Sequence, residues 1–456
     1  MSSRRAPQLA ALLHIAWPIY VAQLAMMASG LVDTVMAGRL STLDLAAVGI
    51  ASSIQVTILM SLASVLFALP PIVAHLHGEA RPAEIGWQVH QSLWIALAIG
   101  VLAVVLLLNP EPFLALSAME PAVEAKVRAY LVASSWGVPA ILGLRVYMGL
   151  FIGIGRPRSV MHVNLAALAL KVPLNAVLMH GLLGMPALGS TGCAAATAAA
   201  YWIVIAAAWA WCLSQPAFAP FALVRRLPRP HWPTLLAFLK LGVPIALTFI
   251  ADVTAFTFMA LFIARLGAQV SAAHQIAANL AVFAFMLPLS LGHAAATLVG
   301  QALGAGEPER ARQTCLQAMG LGLGISILVS LAYWLGADTI AALYTPDPRG
   351  HPLAASLIVL VAAYHLADAL QAVAVNALRG YKRTAVPMFI YTACLWGIGL
   401  GGGLALGLTD WLGPARGAAG FWIAGAASLG LVAVLVSTYL EWVSRVAPSH
   451  ARSGRG

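Results

Sequence analysis

Charged residues are scarce in this sequence. Asp, Glu, Lys and Arg make up only 9% of its 456 residues, whereas a soluble domain carries about 25%. This composition excludes an ordinary water-soluble globular protein. Hydrophobic residues make up 61% of the chain and the mean hydropathy is +0.89. The apolar runs reach about 20 residues, the length of a membrane-spanning helix, and lack the short alternating segments of a β-barrel. The sequence therefore predicts a polytopic all-α membrane protein.

Cysteines and catalytic motifs are also sparse. Cys193, Cys212, Cys315 and Cys394 lie far apart, and none belongs to a CxxC or Cys/His pair. We interpret them as small core residues and predict no disulfide framework and no structural metal site. The sequence contains no P-loop, HExxH or GxSxG motif, so it does not indicate ATP-driven transport or hydrolysis. We expect neither an enzyme nor a protein with a bound cofactor.

Twelve apolar segments are long enough to cross a bilayer, and they divide into two groups of six. Between the groups lies "SQPAFAPFALVRRLPRPHWP", rich in Pro and Arg. We predict an N-terminal lobe over residues 1–213, a cytoplasmic linker at 214–233 and a C-terminal lobe over 234–456. The predicted spans are 12–36, 46–76, 87–108, 127–154, 159–181, 190–213, 234–264, 270–303, 311–335, 352–378, 384–408 and 416–442.

The distribution of basic residues predicts the orientation. With the N-terminus in the cytoplasm, most of the 25 Lys and Arg residues fall on the cytoplasmic side, as the positive-inside rule requires. Both termini are therefore predicted to be cytoplasmic. The net charge of +10 is then a signal of topology, and we do not expect nucleic-acid binding.

The two halves of the chain resemble each other at a constant offset of 226 residues. "WPI" at 17–19 corresponds to "VPI" at 243–245, and "GRL" at 38–40 corresponds to "ARL" at 264–266. Several matches at one offset indicate an internal repeat. Because each half has an even number of spans, both insert in the same orientation, and such parallel repeats tend to place substrate sites between the lobes.

Of the 15 acidic residues, twelve lie in predicted loops or at the ends of spans, and three lie inside spans: Asp33, Asp252 and Asp368. A carboxylate within the membrane costs about 2.5–3.5 kcal/mol on insertion scales and is a functional candidate by default. The alternative for each is a structural hydrogen bond or an interfacial position. A fourth ionisable residue, Lys171, lies in the fifth span. It is expected either to pair with Asp33 or to extend its ammonium group to the membrane surface.

Helical spacing groups the polar residues around these charges. Each group lies on one helical face. In the fifth span, Lys171 and Asn175 share a face with Asn164. In the tenth span, Tyr364 and Gln371 flank Asp368 on one face. In the seventh span, Phe256 and Met259 continue the face of Asp252. Phe256, Met259, Phe285 and Met286 would suit an adaptable apolar substrate pocket, although residues at such spacing also form ordinary core.

Several motifs resemble the NorM-like branch of the multidrug and toxic-compound extrusion (MATE) family. They are "VDTVMAGRLS" (32–41), "AAHQIA" (272–277), "FMLPLSLG" (285–292), "LRGYKRT" (378–384) and the segment 164–198. The resemblance extends from about residue 10 to residue 443. It implies a twelve-helix, two-lobed, V-shaped exporter that moves cationic amphipathic drugs outward in exchange for Na+ or H+.

The resemblance also implies roles for the three carboxylates in coupling. Asp33 matches the acidic residue of the first-span motif, Asp368 matches the aspartate before "LRGYK", and Asp252 stands where such proteins usually carry Glu. One residue departs from the pattern, since Lys171 stands where the family usually has Asn. A fixed ammonium there would neutralise Asp33, which favours H+ over Na+ as the coupling ion. Asp252 and Asp368 remain the candidate pair for a proton or a bound Na+.

The sequence thus predicts a secondary multidrug antiporter of the bacterial inner membrane that works by alternating access. Its expected partners are cationic drug-like molecules, H+ or Na+, and the bilayer, and we expect a monomer. The main alternative is a lipid-linked oligosaccharide flippase of similar two-lobe plan. A flippase would favour basic residues in its central cavity. In this sequence only two cations, Lys171 and Arg145, are predicted inside the spans, against three acidic residues.

Overall fold

The computed structural model describes residues 5–114, 119–223, 228–345 and 350–453, which fold almost entirely as helices. Within these ranges no strand forms, and the backbone pairing is limited to an isolated bridge between Trp411 and Gly413. The helices are α1 (Arg5–Leu40), α2 (Thr42–Ala63), α3 (Leu69–Gly78), α4 (Pro82–Leu108), α5 (Glu111–Leu114), α6 (Pro121–Ser135), α7 (Val138–Gly153), α8 (Pro157–His180), α9 (Ser190–Ser214), α10 (Trp232–Ala264), α11 (Ala268–Gly304), α12 (Pro308–Tyr344), α13 (His351–Gly380), α14 (Ala385–Cys394), α15 (Gly402–Leu408) and α16 (Ala418–Ser453).

The helices confirm the prediction of an all-α membrane protein. Among the described residues, eleven helical segments are long and apolar enough to cross a bilayer, and the bent pair α6 and α7 makes a twelfth when it is counted as one span. α2 and α3 form a single segment from Thr42 to Gly78 through the 3₁₀ turn Ser64–Ala68. Helices satisfy their own backbone hydrogen bonds, which is why apolar runs of this length adopt them in lipid.

The fourth predicted span, 127–154, is not one straight helix. α6 and α7 are bent by 49° at a break around Trp136 and Gly137. Pro139 lies in the first turn of α7, and its missing N–H prevents the helix of α6 from continuing through it. Gly137 also packs closely on α9, since a Cβ at this position would lie 3.1 Å from the Cβ of Ala198. The prediction of a continuous span is therefore corrected to a broken one.

The described chain divides into two compact units. The first unit comprises Pro18–Ala246, and the second comprises Met1–Trp17 together with Leu247–Gly456. The division falls within α1 and α10, beside Pro18 and Pro244, which occupy equivalent positions in the sequence repeat. The division into lobes 1–213 and 234–456 around a linker follows the spans instead and stays a prediction.

The second unit is built around α13, which packs against α11, α12 and α16. Tyr364, Asp368 and Gln371 are buried on this central helix, with 6%, 6% and 4% of their surfaces exposed. Their enclosure follows from the position of α13, because a helix with neighbours on three sides has little surface left for lipid.

The described residues of the predicted linker, 214–223 and 228–233, lie against α4 within the first unit. Pro216–Phe221 forms a 3₁₀ helix, while Arg225 and Arg226 lie outside the described residues. Gln91 Nε2 donates to the Arg229 carbonyl at 3.1 Å, and Trp94 Nε1 donates to the Pro228 carbonyl at 2.9 Å. Gly86 permits this approach, because a Cβ there would lie only 1.7 Å from the carbonyl oxygen of Phe221.

Replacing Gly86 with Ala is therefore expected to displace the linker and lower the unfolding temperature of the purified protein. The clash is with backbone, so it is not relieved by rotating a side chain, and overpacking of this kind costs about 1–3 kcal/mol. Gly49→Ala is the matched control in the same unit, since nothing lies within 4 Å of its Cβ position. Limited proteolysis of residues 214–233 measures the displacement. Equal melting and equal cleavage in the two variants would contradict the expectation.

Candidate ion-coupling sites

Asp33 and Lys171 form a buried ion pair inside the first unit. Lys171 Nζ lies 2.5 Å from Asp33 Oδ2 and donates a second hydrogen bond to Ser29 Oγ at 2.8 Å. Asn175 Nδ2 donates to Asp33 Oδ1 at 2.9 Å. The pairing expected from the sequence is thus present. Lys171 is only 4% exposed, so its ammonium group does not extend to a membrane surface.

Two helices supply this first site through residues one turn apart. Ser29 and Asp33 are four residues apart on α1, and Lys171 and Asn175 are four residues apart on α8, on either side of Pro173. Positions i and i+4 lie on one face, so each helix presents two polar groups together. Asn164 lies on the same face of α8, but its amide donates to the Val160 carbonyl of its own helix.

A small cavity lies beside the first site. Its lining includes Ser29, Asn164, Lys171, Thr197 and Tyr201. The space accommodates about one water molecule. Lys171 therefore lines this cavity together with the polar side chains of Ser29, Asn164, Thr197 and Tyr201.

Asp252 and Asp368 lie in the second unit, and each accepts a hydrogen bond from a neutral side chain. Tyr391 Oη donates to Asp252 Oδ1 at 2.5 Å, and Gln371 Nε2 donates to Asp368 Oδ1 at 2.9 Å. The two carboxylates are close enough for their charges to interact. Within the described part of the chain, no Lys, Arg or His nitrogen comes within 4.0 Å of either carboxylate. This second site therefore contains two acidic groups without a fixed positive charge.

An aromatic cluster adjoins the second site. Tyr364 packs edge-on against Trp422, with ring centroids 5.3 Å apart, and Phe256 contacts both rings at 6.3 and 6.5 Å. Met259 packs against the same core, while Phe285 and Met286 lie half-buried on α11. Of the four predicted substrate residues, the structure therefore places Phe256 in direct contact with a residue beside Asp368. The role of all four in substrate binding stays a prediction.

Three residues of these sites were missed from the sequence: Ser29, Tyr391 and Trp396. Trp396 Nε1 donates to the Ala251 carbonyl at 3.2 Å, next to the bond between Tyr391 and Asp252. Trp396 belongs to a glycine-rich π-helix, Leu395–Gly401, and such segments often mark functional sites. Ser29 was recognisable by its i, i+4 spacing from Asp33, and the run of glycines around Trp396 was a visible signal of irregular helix.

Both halves share one arrangement, in which the fifth span holds a carboxylate of the first span. In the first half α8 carries Lys171 and Asn175, which bind Asp33 on α1. In the second half α14 carries Tyr391, which binds Asp252 on α10. The carboxylates are not at equivalent repeat positions, since residue 259, the counterpart of Asp33, is Met. The two sites differ chiefly in the charge of the partner.

The family comparison matches the chain twice. The MatE family model covers residues 18–177 and 244–403. The two segments begin 226 residues apart and end 226 residues apart, the offset found in the sequence repeat. The matched residues include Asp33 and Lys171 in the first copy and Asp252, Asp368 and Tyr391 in the second.

Curated relatives and solved structures cover nearly the whole chain. The chain is 40% identical to a probable multidrug resistance protein NorM of Aromatoleum aromaticum, over 95% of this chain and 93% of that protein. It is 35% identical to the multidrug resistance protein MdtK of Yersinia pseudotuberculosis, over 95% of each. The crystal structure of a eukaryotic MATE transporter matches the fold with a TM-score of 0.87 and 18% identity, over 98% of this chain and 99% of that one. The curated relatives are named multidrug resistance proteins and the solved structure is named a transporter, in agreement with the prediction that the chain is not an enzyme. The family model and these relatives together show that the chain belongs to the MatE family of multi-pass membrane transporters.

Proposed function

We propose that this protein exports cationic amphipathic compounds across the bacterial inner membrane in exchange for protons. The curated relatives are named multidrug resistance proteins, which supports the substrate class. The observation that carries the proposal is the pair Asp252 and Asp368 among membrane-spanning helices. Asp368 is buried and Asp252 is half-buried, and both have hydrogen-bond donors but no fixed cation.

The chemistry of this pair supports exchange of one positive charge for another. An isolated carboxylate in apolar surroundings must be neutralised, and two interacting carboxylates strengthen that requirement. A proton, Na+ or a cationic drug can each supply the positive charge that neutralises the carboxylates. The rings of Phe256, Tyr364 and Trp422 suit the drug, because aromatic faces attract organic cations and bury apolar surface.

A proton fits the second site better than Na+ does. Hard cations require several oxygen ligands around them, whereas a proton needs a single carboxylate oxygen. Tyr391 and Gln371 present O–H and N–H donors to the carboxylates, and these donors repel a metal cation as they stand. In the first site Asp33 already has an ammonium partner. H+ is therefore the proposed coupling ion, and Na+ held by Asp252 and Asp368 is the alternative.

Coupling requires that drug and coupling ion exclude each other or favour different states of the transporter. We propose alternating access, in which protonation of the second site on the outer side releases drug. After the protein reopens inward, loss of the proton allows the next drug cation to bind. The excess of basic residues in the predicted inner loops supports cytoplasmic termini.

Ethidium transport in membrane vesicles tests this proposal. Everted vesicles containing the protein receive a pH gradient or a Na+ gradient, each imposed separately, with vesicles lacking the protein as control. We expect ethidium accumulation with the pH gradient alone. Accumulation driven by the Na+ gradient alone would show that the coupling ion is Na+ and not H+. Lack of accumulation with both gradients, at normal protein level, would contradict the antiport proposal.

Replacing Tyr391 with Phe is expected to slow transport at low ethidium concentration by about tenfold. The change removes a hydrogen bond to a charged group, and such bonds contribute about 1.5–3 kcal/mol. A loss of this size corresponds to a rate that is lower by about tenfold or more. The shape of the ring is retained, so packing is preserved. Tyr439→Phe on α16 is the matched control, since that ring stacks on Trp442 away from the carboxylates. Equal rates for the two variants would show that the phenol does not contribute to transport.

The flippase alternative draws its support from Arg145, which is 8% exposed in the first unit. Its guanidinium lies over the Phe67 ring at 5.6 Å and donates to Met60 Sδ at 3.3 Å. Lys171, the other embedded cation, is paired with Asp33 and is therefore not available for a diphosphate. The balance of embedded charges favours a cationic substrate.

A further inference from the structure

The ammonium group of Lys171 contacts two oxygen atoms, the kind of partner that a bound monovalent cation takes. Asp33 Oδ2 and Ser29 Oγ are its direct partners, at 2.5 and 2.8 Å. An ammonium group has three N–H donors, and the adjoining cavity leaves space for about one water molecule to accept the third.

Asn175 adjoins the same carboxylate and carries a further oxygen. The residue is 0% exposed, and its Nδ2 donates to Asp33 Oδ1. Its own Oδ1 is buried and has no hydrogen-bond partner among the described residues. A buried acceptor without a partner is costly, and a cation that replaced the ammonium would offer this oxygen a favourable contact after rotation of the amide.

The remaining groups around Asp33 do not add a second positive charge. The Cys193 thiol on α9 and the Tyr130 phenol on α6 lie near enough to interact with the Asp33 carboxylate. Both groups are neutral as thiol and phenol at ordinary pH. The charge of Asp33 is therefore balanced by Lys171, the one residue that forms a salt bridge with it in the described chain.

We propose that Lys171 is a built-in counter-ion that fills a monovalent-cation site formed by Asp33, Ser29 and Asn175. Shortening Lys171 opens this site to Na+ or K+. The inference extends the proposed function, because a first site filled by the chain itself confines ion exchange to Asp252 and Asp368. The cation site itself does not depend on what the protein transports.

Thermal unfolding of the full-length protein in detergent tests the site directly, with the fluorescence of its 13 tryptophans as the readout. All proteins carry Asp252→Asn and Asp368→Asn, so that the second site contributes no cation binding. Three versions are compared: Lys171 intact, Lys171→Ser, and Lys171→Ser with Asp33→Asn. Each is melted in NaCl, KCl and choline chloride at equal ionic strength, since choline is too large for the site.

We expect the Lys171→Ser protein to melt about 2–4 °C higher in saturating NaCl or KCl than in choline chloride, because ligands of the folded state stabilise it. The shift should saturate with salt concentration. The protein with Lys171 intact and the protein that also carries Asp33→Asn should melt at the same temperature in all three salts. A Lys171→Ser protein without a cation-specific shift would overturn the proposal, and so would a shift that persists with Asp33→Asn.

A second variant keeps the test usable if Lys171→Ser cannot be purified. Lys171→Asn retains a polar side chain that can donate to Asp33, and the same three salts and the same Asp33→Asn control apply. The vesicle experiment with ethidium is independent of this measurement. A protein that exports ethidium but shows no cation-specific shift would retain its proposed function and lose the proposed cation site.

Discussion

Replacement of Asp368 by Asn is expected to abolish drug export while the protein stays folded in the membrane. Asn has nearly the size of Asp, and Gln371 can still bond to its side-chain oxygen. The substitution removes the charge that a proton or a drug cation must balance. One fixed neutral group in the pair eliminates the mutual exclusion on which antiport depends.

The measurement is ethidium accumulation in everted vesicles, together with growth of an efflux-deficient bacterial strain in the presence of ethidium. We expect both to fall to the level of cells without the transporter, at equal amounts of protein in the membrane. Asp338→Asn is the matched control, because Asp338 is an exposed carboxylate on α12 in the same unit. Resistance equal to wild type in Asp368→Asn would remove Asp368 from the coupling mechanism.

Removal of either partner of the Lys171–Asp33 pair is expected to destabilise the protein strongly, whereas removal of both is expected to cost much less. A single substitution, Asp33→Asn or Lys171→Met, leaves a buried charge without its partner, and such changes cost about 3–5 kcal/mol. The double variant leaves no charge at the site. Its loss of stability should therefore be smaller than either single loss, so that the two single losses are far from additive.

Unfolding of the four proteins in detergent provides this double-mutant cycle. The ion pair between Lys126 and Asp44 is the matched control, since its nitrogen–oxygen distance is 2.7 Å but 36% of the Lys126 side chain is exposed. Asp44 is buried, but it also accepts hydrogen bonds from the Ser41 hydroxyl and the Ser190 N–H. Because these bonds remain when Lys126 is removed, Lys126→Met should lower stability less than Lys171→Met. Additive losses in the Asp33 and Lys171 cycle would show that the two charges do not stabilise each other.

The broad features of the fold were predictable because they depend on composition along the chain. Scarce charge and long apolar runs require helices that cross a membrane, and the described residues contain them. The 226-residue repeat was visible in short matches and recurs as two matches to the family model. The bend between α6 and α7 was not predicted, because hydropathy counts apolar residues and does not register a break in the backbone around Gly137.

The site residues were also predictable in part. Charge counting within the spans was sufficient to identify Asp33, Asp252, Asp368 and Lys171 as unusual, because the membrane makes each of them costly. Helical spacing showed which polar residues share a face with them. Charge counting and helical spacing each use residues of a single helix, which are close together in the sequence.

The partners were decided by tertiary structure. Lys171 and Asp33 are 138 residues apart, and Tyr391 is 139 residues from Asp252. The helical period fixes which residues of one helix face the same direction, but packing determines which helix lies opposite. The sequence by itself therefore determined that charges lie buried in each half of the chain. Only the packing of α8 on α1 and of α14 on α10 decided that one carboxylate has an ammonium partner and the other a phenol.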